Sequence, residues 1–315
     1  MGLAEDLEVL AKGAGITPQN RGREFERWLK ALLDLAGMRP RASFRPRGEE
    51  IDGSFVDGGR IYLLEAKWLA KPLPASTIYQ FKGKIDGKLV GTVGVMVSMS
   101  GYSEDAVEAL RRGKTLNVIL FDGQDIRAAV ADGFEAVLSF KIHAAVEFGE
   151  PYVPYVRAAI RTTPNRVIIV VEGERDAFVI GRIAGRLRRS HQGYDYQIIT
   201  ALGATGVPGV SMSLAAESEC DVLVIIDAAA HRQAGWWPPE WDDSEHRVQL
   251  IVLDHGLIEW LSRPERYAAW HPDEVEHTSL SQLRHLVSNL NLDDLAERSE
   301  SFRRFVAVLD ANLWG

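Results

Sequence analysis

The sequence predicts an α/β protein of two successive units, each a sheet flanked by helices, with a helical tail. Three observations predict it. Stretches of helical and of strand period alternate from the start to about residue 146. A stretch with three prolines, GEPYVPYVRAAIRTTPNR, then breaks the pattern. A second alternation begins at once with RVIIVV, and a tail of helical periodicity follows from about residue 278. These shifts divide the chain into a first unit 1–148, a linker 149–165, a second unit 166–277 and a C-terminal extension 278–315.

In order, a first helix is expected over 3–13, then a loop from Gly15 to Asn20. Phe25, Trp28, Leu29, Leu32, Leu33 and Leu35 recur at helical spacing, so 21–36 reads as an amphipathic helix stopped by Gly37. Three short strands are expected at 41–46, 50–57 and 60–67, the last two joined by the hairpin signal Asp57-Gly58-Gly59. A helix over 76–86, a buried strand 92–99, a helix 103–112 and a strand 116–121 come next, and helices fill 123–146. The order α-β-β-β-α-β-α-β implies a mixed sheet covered by helices. In the second unit the pattern gives strand 166–171, helix 174–189, strand 196–200, a Gly-rich turn and strand 221–226. A Trp- and Pro-rich loop, strand 247–253 and helix 256–262 complete it, and the tail is expected to pack on this unit.

With 315 residues, 46% of them apolar, the chain has material for two buried cores. No apolar run approaches the roughly 20 residues that span a bilayer. MGLAEDLEVLAKGAG lacks the basic start and apolar stretch of a secretion signal, so a cytoplasmic protein without membrane contact is expected. Cys220 is the single cysteine, which excludes an internal disulfide and a thiolate metal cluster. A net charge of −8 argues against nucleic-acid binding over the whole surface. Locally the balance reverses. Between Arg21 and Arg47 eight basic residues face three acids. Such a run is usually a solvated face, but beside carboxylates it offers phosphate backbones a footing.

Those carboxylates follow directly. Period-2 geometry puts Glu65 and Lys67 on one face of their strand, with Ala66 on the other. Asp52, near the start of the paired strand, can approach them. Two carboxylates at a sheet end form an oxygen site for Mg²⁺, and a lysine beside them can orient or deprotonate an attacking water. A lone Glu-x-Lys triplet is common on exposed strand tips, so order and context carry the reading. In the second unit Glu172 ends one strand and Asp227 another. If those strands are parallel neighbours, the two acids meet at one sheet edge, where ligand groups commonly sit. On spacing alone, Glu172 to Asp176 read equally as first-turn acids and Asp227 as a helix cap.

The run from Arg21 to about Val130 resembles the Mrr-type restriction endonucleases of the PD-(D/E)xK superfamily. The resemblance rests on Gly22-Arg23-Glu24-Phe25-Glu26, Gly48 to Asp52, Glu65-Ala66-Lys67-Trp68, Gln80 and Gly94-Val95-Met96-Val97-Ser98. Gly101-Tyr102-Ser103 with Ala106, and Leu120-Phe121-Asp122-Gly123, extend it. It implies a restriction-endonuclease-like fold in which Asp52 and Glu65 bind Mg²⁺ or Mn²⁺ and Lys67 acts on the water. Glu26 would complete the metal shell and Gln80 support the site. Glu49 and Glu50 depart from the glycine-rich approach usual in the family.

Residues 166–262 resemble a TOPRIM domain, the metal-binding Rossmannoid fold of topoisomerases, primases and OLD-type nucleases. Glu172-Gly173 with Asp176 match its first motif, Gly203 the turn after its second strand, and Asp227 the first acid of its DxD. Leu257-Ile258-Glu259-Trp260-Leu261 is similar to a late segment of such domains. The DxD here reads Asp227-Ala228-Ala229, so one carboxylate is missing. The site then holds one metal, recruits His231 or Glu259, or has lost catalysis.

Other chemistries find no motif: there is no GxxxxGK[ST], HExxH, paired-Cys pattern or GxSxG. Trp236, Trp237 and Trp241 around Pro238-Pro239 read as a packed loop before a base-stacking one. Arg182, Arg186, Arg188 and Arg189 read as a solvated helix end before a backbone-contact strip. The expected function is metal-dependent DNA endonuclease activity in prokaryotic restriction or defence, as a homodimer, with a partner protein conceivable. Two alternatives stand: catalysis by the TOPRIM-like unit with the first unit binding DNA, or a non-catalytic sensor or assembly role for that unit.

Overall fold

A computed structural model describes residues 2–13, 15–44, 51–113, 115–156, 166–190, 195–218, 220–235, 237, 248–263 and 278–311. The chain divides into two compact units, Met1–Arg157 and Ala158–Gly315.

In the first unit α1 (Leu3–Lys12) and α2 (Pro18–Leu35) lead into strands β1 (Gly53–Asp57) and β2 (Arg60–Lys67). Helix α3 (Ala75–Asp86) carries the chain to β3 (Val93–Ser98), and α4 (Glu104–Arg111) to β4 (Val118–Asp122). The sheet order is β1-β2-β3-β4, with β1 antiparallel to β2 and the other neighbours parallel. This is the mixed sheet flanked by helices that the element order predicts. The stripe Phe25, Trp28, Leu29, Leu32 and Leu33 is buried and shares a core with Phe55, Leu64, Val95 and Phe121 from the sheet. The expected third strand at 41–46 is reduced to single bridges, Arg41 with Ser54 and Phe44 with Ile51, and 45–50 fall outside the described residues. Pro40 and Pro46 bracket the segment and supply no backbone donor. The region 123–146 forms two helices, α5 (Gly123–Asp132) and α6 (Phe134–Glu147), divided at Gly133, whose φ of 95° suits glycine.

The beginning of the segment read as a linker belongs to this unit. Tyr152, Val153 and Val156 are buried, and successive residues are fastened: Glu150 to Arg111 at 2.9 Å, Pro151 O to Leu120 N at 2.9 Å, and Tyr152 Oη to Asp122 at 2.6 Å. Val153 O accepts from Lys141 Nζ at 2.7 Å and Tyr155 N donates to Asp125 at 2.8 Å. Prolines keep the strap extended without keeping it off the surface; 157–165 lie outside the described residues.

The strap makes stability depend on pH. Burial pushes the Glu150 carboxyl up to about 7, against the opposing pull of Arg111. Burial, followed by the charge of Asp122, pushes Asp125 up to about 7, against the pull of Lys141. Unfolded, these groups titrate near ~4. Between ~4 and ~7 the folded chain therefore holds protons the unfolded chain has lost, and their contribution to stability falls as pH rises through that window. Glu150→Gln is expected to flatten part of this slope in thermal melts compared at about pH 5 and about pH 7.5. Parallel slopes for the two proteins would contradict it.

The second unit has strands β5 (Arg166–Val171), β6 (Asp195–Thr200), β7 (Asp221–Asp227) and β8 (Val248–Leu253), all parallel, in the order β6-β5-β7-β8. Val167 to Val171 and Val222 to Ile226 are continuously buried, as strands covered on both faces must be. Helix α7 (Glu174–Ser190) contributes Val179, Ile180 and Ile183 to the core. Helices α8 (Val207–Glu217) and α9 (Ala228–Ala234) were not read from the sequence. VPGVSMSLAAE has no charged face to mark a period, because α8 is buried on most sides.

After α10 (Ile258–Leu261) come α11 (Leu280–Asn289), α12 (Leu292–Arg298) and α13 (Glu300–Ala311). Leu283, Leu295, Phe302 and Phe305 join the core around Trp260, which is fully buried and donates from Nε1 to Ser301 Oγ at 2.9 Å. Arg186 donates to Val287 O and Leu290 O, so this arginine ties down the tail and is not part of a solvated strip. Arg182 lies over the Phe178 ring; the side chains of Arg188 and Arg189 are outside the description.

Candidate nuclease site

The hairpin brings the expected residues together. Gly53 pairs with Leu64 in the antiparallel register, which sets Asp52 beside the end of β2. Asp52 Oδ2 accepts from Ala66 N at 3.0 Å and from Lys67 Nζ at 3.2 Å. The same ammonium lies 2.9 Å from Glu65 Oε1. The Glu65 side chain is only 9% exposed and that of Asp52 12%, so both charges are held mostly out of water. Burial works against the charge on Lys67, but Asp52 and Glu65 outweigh it and hold the group above the ordinary lysine value. Lys67 is thus held as an ammonium donor between the two carboxylates.

Lys84, on α3, completes the cluster with a contact of 2.9 Å to Glu65 Oε2. Sequence reading missed it. Gln80 lies one helical turn earlier on the same face, but it is exposed and makes no hydrogen bond to the cluster. The seat of α3 decides the difference: Phe81 and Ile85 pack onto Gly94 of β3, where an added Cβ would lie 2.7 Å from Phe81. Glu26 is half-buried on α2 and does not join Asp52 and Glu65, since among the described residues no three His, Cys, Asp or Glu side chains converge to hold a metal. Nearby, Arg21 stacks over Trp68, and Arg27 pairs with Glu24, while Arg23, Lys30, Arg39 and Arg41 are exposed. Arg45, Arg47 and Gly48 to Glu50 are outside the described residues.

The donor set suits a divalent cation of the Mg²⁺ or Mn²⁺ type. Two carboxylates supply hard oxygens, and among the described residues both hydrogen bonds to Asp52 use Oδ2, leaving Oδ1 to a ligand.

In the second unit β5 and β7 are parallel neighbours, with Val171 opposite Ile225. Glu172, Asp176 and Asp227 consequently line one cleft with Ile180, Leu253 and Leu257. The acids also serve local structure: Asp227 caps α9 through Ala230 N, and Asp176 accepts from Gly173 N. Gly203, with φ of 115°, folds the following turn back so that its N–H donates to Glu172 O. Glu259 is elsewhere. Its carboxylate receives Ser301 and Ser299 Oγ, and its carbonyl receives Arg298, so it fastens the tail. His231 stacks on Trp237, whose indole donates to His231 O. Trp236 and Trp241 are outside the described residues.

The first unit is a mixed sheet with an Asp–Glu–Lys cluster at the base of its hairpin. Residues 18–130 match the Mrr_cat family model, described as a restriction endonuclease, over about a third of the chain. That domain marks a restriction-type nuclease, a hydrolase acting on DNA. No curated protein and no solved structure matches the chain. Among the described residues no helix is long and apolar enough to cross a membrane.

Proposed function

We propose that this chain is a Mg²⁺- or Mn²⁺-dependent DNA endonuclease whose hydrolytic site is Asp52, Glu65 and Lys67. The observation that carries it is one ammonium bridging two mostly buried carboxylates, one on β2 and one just before its paired strand β1, inside the region that matches a restriction endonuclease. Asp52 and Glu65 are the residues that would hold the metal, which when bound supplies an activated water and screening of phosphodiester charge. Asp52 and Glu65 also fix Lys67, whose ammonium donates to the attacking water or to the phosphoryl oxygen where charge develops. The exposed cations Arg23, Lys30, Arg39 and Arg41 supply contacts to the DNA backbone. Since a duplex has two strands to cut, the working form is a homodimer, and its setting is cytoplasmic prokaryotic restriction or defence, with a partner protein of that system as a further component.

A second reading places chemistry, or sensing, in the second unit. The observation favouring it is that Glu172, Asp176 and Asp227 line one cleft at the carboxyl edge of a parallel sheet, as a TOPRIM-like domain would have it, although they are not grouped closely enough to hold a metal as they stand. Ala229 in place of a second acid weakens the catalytic version and favours the sensor version. One experiment separates these readings: Mg²⁺- and Mn²⁺-dependent cleavage of linear, supercoiled, methylated and single-stranded DNA by wild type, Glu65→Ala and Glu172→Ala. Loss in Glu65→Ala with activity kept in Glu172→Ala is expected. The opposite pattern would move catalysis to the second unit.

A further inference from the structure

The two carboxylates of the hairpin site are matched by two ammonium groups, and the second comes from a different element. Glu65 has one oxygen on each: Oε1 on Lys67 and Oε2 on Lys84, both at 2.9 Å. Lys84 is 22% exposed at its side chain, and the packing of Phe81 and Ile85 against Gly94 fixes the helix that carries it. With Asp52 bound to Lys67, the formal charge of the four groups is zero. A divalent cation entering such a cluster must displace an ammonium from Glu65 or be repelled by it, and it would leave an excess of two positive charges. An anionic phosphodiester would offset that excess.

We propose that Lys84 is the built-in counter-ion of this site, holding Glu65 in the absence of metal and competing with the divalent cation for Oε2. Resting on the nuclease reading above, it gives Lys84 a positioning role toward Glu65 and couples metal uptake to DNA. The free protein binds the cation weakly, DNA tightens that binding, and the cation tightens DNA binding by the same factor. Lys67 cannot play this part alone, because it is shared with Asp52 and lies on the other oxygen of Glu65.

Mn²⁺ binding to the full chain, read from the free-ion electron paramagnetic resonance signal, tests it without relying on cleavage. Wild type, Lys84→Met, Lys84→Arg and Asp52→Ala are titrated with Mn²⁺ alone and with a phosphorothioate duplex that resists hydrolysis, after circular dichroism has checked folding. Lys84→Met is expected to bind Mn²⁺ alone about tenfold more tightly than wild type and to gain less from DNA. Lys84→Arg, which keeps the charge, is expected to behave as wild type. Unchanged or weaker Mn²⁺ binding in folded Lys84→Met, or equal behaviour of the Met and Arg variants, would overturn the counter-ion role. If Asp52→Ala abolishes Mn²⁺ binding while Lys84→Met fails to tighten it, only the Lys84 assignment falls. If Asp52→Ala binds Mn²⁺ as wild type does, the cation is not at this site and the nuclease reading falls with it.

Discussion

Asp52→Asn is expected to lower DNA cleavage by at least about 10²–10³-fold while leaving the first unit folded. The substitution keeps an amide oxygen where Asp52 Oδ2 now accepts from Ala66 N, so the bond between the hairpin arms survives. It removes a charge that has two uses. One is to hold the Lys67 ammonium, together with Glu65, at the end of β2. The other, on the proposed function, is to supply a hard carboxylate oxygen to the metal. Lys67→Met should fall in the same range, and the double variant should lose little more, because groups acting as one unit do not add. Steady-state cleavage at saturating Mg²⁺, with melting curves for each variant, measures this. An Asp52→Asn protein that cuts DNA at the wild-type rate would remove the hairpin from the mechanism.

The part of this site that was legible in the sequence is the part set by local rules. Glu65 and Lys67 share a face because strand side chains alternate, and Asp52 reaches them because one hairpin joins their strands. Lys84 was not legible, since its contact depends on how α3 crosses the sheet, and Gly94, Phe81 and Ile85 decide that from opposite ends of a crossover. Gln80, expected to support the site, lies on the same helix but is exposed. In the second unit, the meeting of Glu172 and Asp227 followed from strand order. The place of Glu259 did not, because Ser299 and Ser301 arrive from the tail some forty residues later. The strap at 150–156 was hidden for a similar reason. Its prolines are local signals of a connection, whereas its partners Arg111, Asp122, Asp125 and Lys141 are distant in sequence.

Lys141→Met is expected to destabilise the first unit by about 3–5 kcal/mol, the usual cost of removing one partner from a buried ion pair. Lys141 is 1% exposed and Asp125 fully buried, with 2.7 Å between ammonium and carboxylate. The ammonium also donates to Val153 O at 2.7 Å and sits over the rings of Phe121 and Tyr152. Methionine fills the volume but leaves a buried carboxylate without its cation and a strap carbonyl without its donor. Denaturant titration should show the loss, and hydrogen exchange should show 150–156 opening before the sheet. Lys141 holds the Asp125 carboxyl down, so the variant keeps that proton to higher pH, and the deficit should shrink as pH falls toward about 7 and level off below it. Asp125→Asn in the same chain should recover part of it, because no unpaired charge then remains. Tyr102 Oη, packed against Tyr152, lies 2.7 Å from Met96 O and 2.9 Å from Phe121 O. Met96 is the register partner of Glu65. A Lys141→Met stability within ~1 kcal/mol of wild type would mean that the Lys141–Asp125 pair does not hold the strap.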